Sequence, residues 1–344
     1  MKSLVRTLFW VLLVIAGIGS WMLFGHGTDF SGSHKYFILS QADAQAGKPG
    51  EAMEGKSLLK QPWMLDLLIS VSGNQGKIKA GKYEIVQGQS LWSVARMLKN
   101  GRQAEIKLVI NRIRTKEDFA HLIASKFSQD SLQVLAYLNN PDSLKQWGVD
   151  TGTVFTTIIQ DTYLFYWNSS LNKIFQRLFD AKNQFWNKNN RLAKAAEMGF
   201  KPETVYILAS IVDEETNYDS DKFKIASVYI NRLHKEMPLQ ACPTIKFAMR
   251  DFTITRIYEK YLSNPSPYNT YKFKGLPPGP ICTPSPKTID IVLDAPKTDY
   301  LFFVAKSDFS GYHHFSSNYK EHDAYAKEYQ KALDIYMAKK AKTH

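Results

Sequence analysis

The segment ILASIVDEETNYDS, residues 207–220, places three consecutive carboxylates, Asp213, Glu214 and Glu215, directly behind an apolar run. Carboxylic acids perform general acid–base chemistry when their surroundings tune their proton affinity, and a carboxyl held away from water stays protonated towards neutral pH. Lys201-Pro202-Glu203 opens the helix that carries them, with Pro in a first turn where a missing N–H costs nothing. At about 100° per residue, Val205, Ile207, Leu208, Ile211 and Val212 cluster on one side of that helix. Glu215 falls near the middle of the cluster, Glu214 lies at its edge, and Asp213 points away. A charge on a core face is costly unless it meets a cleft or a partner, so Glu215 is the candidate proton donor. The alternative is a helix that ends near Val212, with all three acids in solvent and Thr216, Asn217 and Asp219 capping the next helix.

The surrounding chain must hold this helix. Residues 26–60 are rich in Gly, Ser, Lys and Gln and read as a linker or a poorly anchored first unit. A pattern then occurs twice at a spacing of about 24 residues. In KYEIVQGQSLWSVARMLKNG, residues 82–101, a short strand with Tyr83 and Ile85 leads through Gln87-Gly88 to Ser90 as N-cap and a helix bearing Leu91, Val94, Ala95 and Leu98. In IKLVINRIRTKEDFAHLIASKF, residues 106–127, Thr115 is the N-cap, Asp118 follows three residues on, and Phe119, Leu122 and Ile123 share a face. Such tandem strand–helix pieces form either a binding module or a plain α+β spacer. Residues 128–194 read as helices with a loop at TTIIQDTYLFYWNSS, and Leu171, Ile174, Phe175, Leu178 and Phe179 make a core stripe. The last part, 201–335, begins with two helices and turns loop-rich around SNPSPYNTYKFKGLPPGPICTPSP, the setting in which sites usually sit.

The 344 residues suffice for about two domains, and 44% apolar content excludes a disordered chain. Leu8 to Phe24 is a run without charge behind Lys2 and Arg6, long enough to cross a bilayer core with the N-terminus in the cytoplasm. A cleaved signal peptide at Gly17-Ile18-Gly19 is the rival, but the apolar run continues through Phe24. Either way the rest is exported. The net charge of +12 then speaks for an anionic surface or polymer, or simply a basic exported domain, and not for nucleic acid. Cys242 and Cys282 have no His partners at metal spacing, so no metal site is expected.

Five blocks in order carry a resemblance: ILASIVDEET at 207–216, IASVYINRL at 225–233, LQACPTIKFA at 239–248, SPYNTYKFKGLPPGPI at 266–281 and YLFFVAKSDFSGYHHFSSNYKEH at 300–322. With KAGKYEIVQGQSLWSVARMLKNG, DTY at 161–163 and the single N-terminal apolar segment, the chain resembles the YceG-like (MltG-type) endolytic murein transglycosylases over about residues 77–323. The resemblance implies an α+β architecture of four parts. These are a cytoplasmic tip and transmembrane anchor at 1–30, a linker and LysM-like module at 31–130, a transglycosylase domain with a loop-rich groove at 131–335, and a basic tail at 336–344.

It implies that Glu215 is the catalytic acid, the residue that helix geometry also selects. It further implies that Asn231, Gln240, Thr244, Tyr268, Asn269, Thr270, Pro277, Pro278 and Gly279 bind glycan. Cys242 stands where the family usually has Asp, and with Cys282 in the other groove loop a disulfide between the two, or a pair of unpaired thiols, is expected. His313 and His322, in the last block, read as hydrogen-bonded structural groups. The implied activity needs no cofactor. It is cleavage of the bond between N-acetylmuramic acid and N-acetylglucosamine inside glycan strands, leaving 1,6-anhydro ends and terminating nascent strands. Peptidoglycan is the implied partner, with peptidoglycan synthases nearby, at the bacterial inner membrane with the catalytic domain on the periplasmic side. A non-catalytic peptidoglycan-binding scaffold and a hydrolytic muramidase using Asp213 or Asp219 as second carboxylate stay open as alternatives.

Overall fold

The computed structural model describes residues 2–254 and 256–341. Helix α1 (Lys2–Phe24) contains a 20-residue stretch, Val5–Phe24, of mean hydropathy 2.1 with none of it buried, long and apolar enough to cross a membrane. The chain divides into two compact units. One comprises the residues up to 108 with 125–129 and 164–170, and the other comprises 109–124, 130–163 and the residues from 171 onward.

In the first unit β1 (His34–Leu39) is followed by α2 (Gln41–Ala46), α3 (Pro49–Met53) and α4 (Pro62–Val71), then β2 (Gly81–Val86) and α5 (Leu91–Asn100). β1 and β2 pair antiparallel, His34 opposite Val86 through Leu39 opposite Gly81. Side chains alternate across the pair, so Phe37, Leu39, Tyr83 and Ile85 all face inward and pack on Leu65 and Ile69 of α4 and Leu91, Val94 and Leu98 of α5. Ser90 caps α5 as expected, its Oγ accepting from Ser93 N, and Gly101 closes the helix with φ 64°, a left-handed conformation that favours Gly. The linker expected at 26–60 is not one: Leu39, Met53, Leu58 and Leu59 from that stretch are buried in the same core. Its polar composition hid a strand whose partner lies far along the chain.

The second strand–helix piece also forms, as β3 (Glu105–Ile110) and α6 (Lys116–Lys126). Thr115 and Asp118 close a reciprocal cap, each backbone N–H donating to the other's side chain at 3.0 Å. β3 pairs with β4 (Asp161–Tyr166), whereas β2 pairs with β1, so the two strand–helix pieces do not share a sheet. β4 also lies inside the stretch read as a loop at 156–170.

The second unit continues through α7 (Ser131–Asn139), α8 (Pro141–Lys145), α9 (Leu171–Trp186), α10 (Arg191–Glu197), α11 (Pro202–Glu215), α12 (Asp219–His234), α13 (Cys242–Met249), α14 (Glu259–Leu262) and α15 (Pro286–Leu293). It ends in the hairpin β5 (Phe302–Ala305) and β6 (His313–Ser316) and helix α16 (Tyr319–Ala341). The last three residues of the expected basic tail, 342–344, lie outside the described residues. Ile174, Phe175 and Leu178 of α9 are buried, as their spacing predicts. α11 is the axis of the unit: every residue from Val205 to Asp213 is buried, against α12, α13 and α15 among others. A helix buried all round has no solvent face, and that decides the fate of its acids.

Candidate active site

α11 does not stop at Val212; it runs to Glu215, with Thr216 in extended conformation as its C-cap. The three acids at its end meet three different environments. Asp213, expected to point away, is instead the most enclosed, 2% exposed. Lys222 of α12 reaches its Oδ1 at 2.6 Å, the Thr288 hydroxyl of α15 donates to the same oxygen at 2.5 Å, and Arg112 reaches Oδ2 at 3.3 Å. The side of α11 opposite the apolar cluster is covered by α12 and α15, so this acid needed, and has, cationic partners, the buried Lys222 and the outlying Arg112. Burial alone pushes its carboxyl up, but the bonds from Lys222 and Thr288 outweigh it and hold Asp213 below the ordinary carboxylate value.

Glu214 is clamped by Arg114 in a two-pronged pair, Nε to Oε1 at 3.1 Å and the second guanidinium nitrogen to Oε2 at 2.9 Å. Backbone exchange aims both arginines. Ile113 N donates to Thr283 Oγ1 at 2.9 Å and Thr283 N donates to Ile113 O at 2.8 Å, so the 112–114 stretch is stitched to the loop that follows Pro280.

Glu215 is different. Among the described residues no cation forms an ion pair with it, and its hydrogen-bond partner is Tyr229 of α12, whose hydroxyl donates to Oε1 at 2.5 Å. The Tyr229 ring is 1% exposed, packed on Phe303 at a ring separation of 5.8 Å, so the donor is held from behind. Desolvation pushes the Glu215 carboxyl up to about 7, against the lowering influence of the Tyr229 hydroxyl and of the Lys246 charge. The residue as a whole is nevertheless only half-buried. A partly accessible acid that loses its proton near neutrality can both give and take one.

The structure sorts the other residues expected to bind glycan. Thr244, Asn269 and Thr270 occupy interior positions, with exposures of 0%, 0% and 1%. Thr244 Oγ1 donates to Ala241 O at 2.7 Å and meets Thr270 Oγ1 at 2.8 Å, and Thr270 Oγ1 also accepts from Ala241 N at 3.0 Å. Asn269 donates to Leu262 O and Asn264 O and accepts from Tyr271 N and Lys272 N, which fixes the 262–272 loop with no capacity left over. The Asn231 amide donates to Thr298 O and Tyr300 O, both at 2.9 Å, and so anchors the segment leading to β5. Gln240, exposed and at φ 53°, accepts from Arg232 at 3.2 Å.

Tyr268 stacks at a tilt on Phe247, 4.6 Å between rings, and stays partly open. Pro278 is exposed, while Pro277 and Gly279 are buried. Gly279 is required sterically, since a Cβ there would stand 2.1 Å from Gly152 O. Of the two arrangements left open for Cys242 and Cys282, the structure shows the unpaired one: both are free thiols. Cys282 is enclosed in the loop that follows Pro280 and donates to Ser210 O at 3.4 Å, whereas Cys242 is exposed on α13, 3.2 Å from the Tyr271 hydroxyl. His313 is structural, its ring and backbone nitrogens both on Asp221 Oδ2 at 2.9 and 2.8 Å. Sequence reading missed Tyr229, Arg112, Arg114 and Lys222. The INRIR run at 110–114 and the lysine nine residues after Asp213 were visible, but not that they converge on one helix end.

This fold and this helix end define a YceG-like protein: the sequence matches the YceG-like family over residues 41–328, and the chain belongs to that family. It is 30% identical over 291 residues to the endolytic murein transglycosylase of Bacillus subtilis, covering 80% of each chain. It is also 34% identical over 120 residues to that of Streptococcus pneumoniae, a match spanning 34% of this chain and 22% of the pneumococcal one. The crystal structure of a YceG-like protein from Listeria monocytogenes shares the fold, with TM-score 0.56 and 24% identity over 86% of this chain and 99% of that one.

Proposed function

We propose that the protein is a murein lytic transglycosylase with Glu215 as its acid and base. One observation carries the reading: of three adjacent acids, two are neutralised by arginine and lysine, and Glu215 is left desolvated with a hydroxyl for company. The similarity to enzymes named endolytic murein transglycosylase supports the substrate class.

In the proposed reaction protonated Glu215 gives its proton to the glycosidic oxygen between N-acetylmuramic acid and N-acetylglucosamine. The N-acetyl group supports the charge at the anomeric carbon. Glu215, now a carboxylate, takes the proton of the muramoyl C6 hydroxyl, whose oxygen closes on that carbon as a 1,6-anhydro bond. The proton bookkeeping closes on one carboxylate, and Asp213 and Glu214, held by their cations, have no part in it. Tyr229 occupies Oε1, which leaves Oε2 to carry the mobile proton.

The placement we propose follows the same reading. Residues 1–30 anchor the chain in the inner membrane, a LysM-like module at 31–130 holds glycan, and the catalytic domain at 131–335 works in the periplasm beside peptidoglycan synthases, ending nascent strands. Release of soluble muropeptides from sacculi by the full chain, absent with Glu215→Gln, tests the function. Equal release by both proteins would rule it out.

A further inference from the structure

A cavity of 510 Å³ opens in the second unit, walled in part by Arg114, Lys116, Asn139, Phe247, Arg250 and Tyr268. Its size suits a peptide of a few residues or a small ligand. It is not isolated from the acid. Arg114 and Phe247 also line a smaller 100 Å³ hollow whose walls include Glu214 and Lys246, and the Lys246 charge acts on Glu215.

The wall is positively charged and incompletely neutralised. Three cations face one lining carboxylate, Glu117. Arg114 is matched by Glu214 and Arg250 by Glu117 at 2.5 Å. Lys116 is not matched: its Nζ donates to Leu138 O at 3.2 Å and Asn139 Oδ1 at 2.7 Å, both neutral, and among the described residues no carboxylate pairs with it. The Asp150 and Glu117 charges act on Lys116 from nearby, but neither carboxylate forms an ion pair with it, and Asp150 Oδ1 accepts from the Gly152 and Thr153 backbone. A half-buried ammonium whose direct acceptors are all neutral can still take a carboxylate, and burial lowers the Lys116 pKa against the pull of the Glu117 and Asp150 charges. Beside it the tilted Phe247 and Tyr268 rings supply an apolar wall for short aliphatic side chains.

We infer that this cavity receives the anionic peptide stem carried by the muramoyl residue of murein, with Lys116 meeting a stem carboxylate. The inference rests on the proposed function and names the part of the substrate that the cavity reads. Stem and glycan are one molecule, so a cavity that shares Arg114 and Phe247 with the hollow beside Glu214 lies near enough to the acid for the stem of a bound strand to enter it.

The test uses the full chain in detergent with two substrates: uncross-linked strands bearing stems, and the same strands after an amidase has removed the stems but left the lactyl carboxylates. For the wild type, kcat/KM is expected to favour stem-bearing strands. Lys116→Gln and Arg250→Gln are expected to reduce that preference about tenfold each through KM, the size of one lost charge-assisted contact. Lys116→Arg, which keeps the charge, is expected to retain most of it. Equal loss on both substrates would assign the cavity to sugar, and no loss would leave it without a role; either overturns the inference. Failure of the wild type to cut either strand refutes the proposed function instead. Calorimetry with the isolated stem tetrapeptide then decides separately: binding that Lys116→Gln abolishes sustains the cavity's role, and no binding ends it.

Discussion

The Tyr229 hydroxyl donates to Glu215 Oε1 at 2.5 Å, from a ring buried against Phe303, and this contact joins α12 to the last residue of α11. It favours the carboxylate, while desolvation favours the acid, and desolvation wins by enough to bring Glu215 to about 7. The tyrosine therefore tempers the acid as well as orienting it. Tyr229→Phe should raise the alkaline limb of the kcat/KM profile by roughly one pH unit, the equivalent of one hydrogen bond to a charged group. The same substitution should lower kcat, since Oε1 and Oε2 become interchangeable. An unchanged limb would remove Tyr229 from the acid's environment.

The raised Glu215 value also fixes a stability signature. The folded state holds this proton up to about pH 7 and the unfolded chain only to the ordinary 4.5. The stabilisation is therefore complete below 4.5 and is lost as pH rises through 7. Between pH 5 and pH 8 the wild type should lose about 2–3 kcal/mol relative to Glu215→Gln, which has no proton to lose. Denaturant titrations of both proteins at the two pH values measure the difference, and parallel curves would contradict it.

Asp213 answers to the opposite logic. Asp213→Ala leaves the Lys222 ammonium, 7% exposed as a residue, without its carboxylate, and should cost about 3–5 kcal/mol. The paired change Asp213→Asn with Lys222→Met should recover a good part of that loss. A double variant as unstable as the single one would mean that the ion pair is not what Asp213 contributes.

Asn269→Ala removes four hydrogen bonds inside a loop and should lower stability by about 2–3 kcal/mol, with KM on glycan unchanged in the fraction that folds. A KM effect at full stability would return Asn269 to the groove. Thiol labelling should find Cys242 reactive in the folded protein and Cys282 only after unfolding, with two thiols in total without reductant.

What could be read from the chain alone follows physical range. Period and capping are local, and so Ser90, Thr115, the α9 stripe and the inward direction of Glu215 were legible from neighbours a few residues away. Long-range pairings were not. Nothing in HKYFIL announces that β2, more than forty residues on, will complete its sheet, and nothing in INRIR says that Thr283 will turn its arginines onto α11. The error at Asp213 has one cause: a helical wheel assumes one solvent face, and α11, enclosed by several neighbours, has none. The groove residues Thr244, Asn269 and Thr270 were drawn from motif membership, which does not separate residues that touch a ligand from residues that shape the loop around it.

The most direct test of the central claim is mass spectrometry of the sugar ends left when purified murein is digested by the full chain, with Glu215→Gln run in parallel. One carboxylate serving as both acid and base predicts 1,6-anhydro-muramoyl ends on internal fragments from the wild type and none from the variant. Reducing ends, or anhydro ends produced equally by the variant, would contradict it.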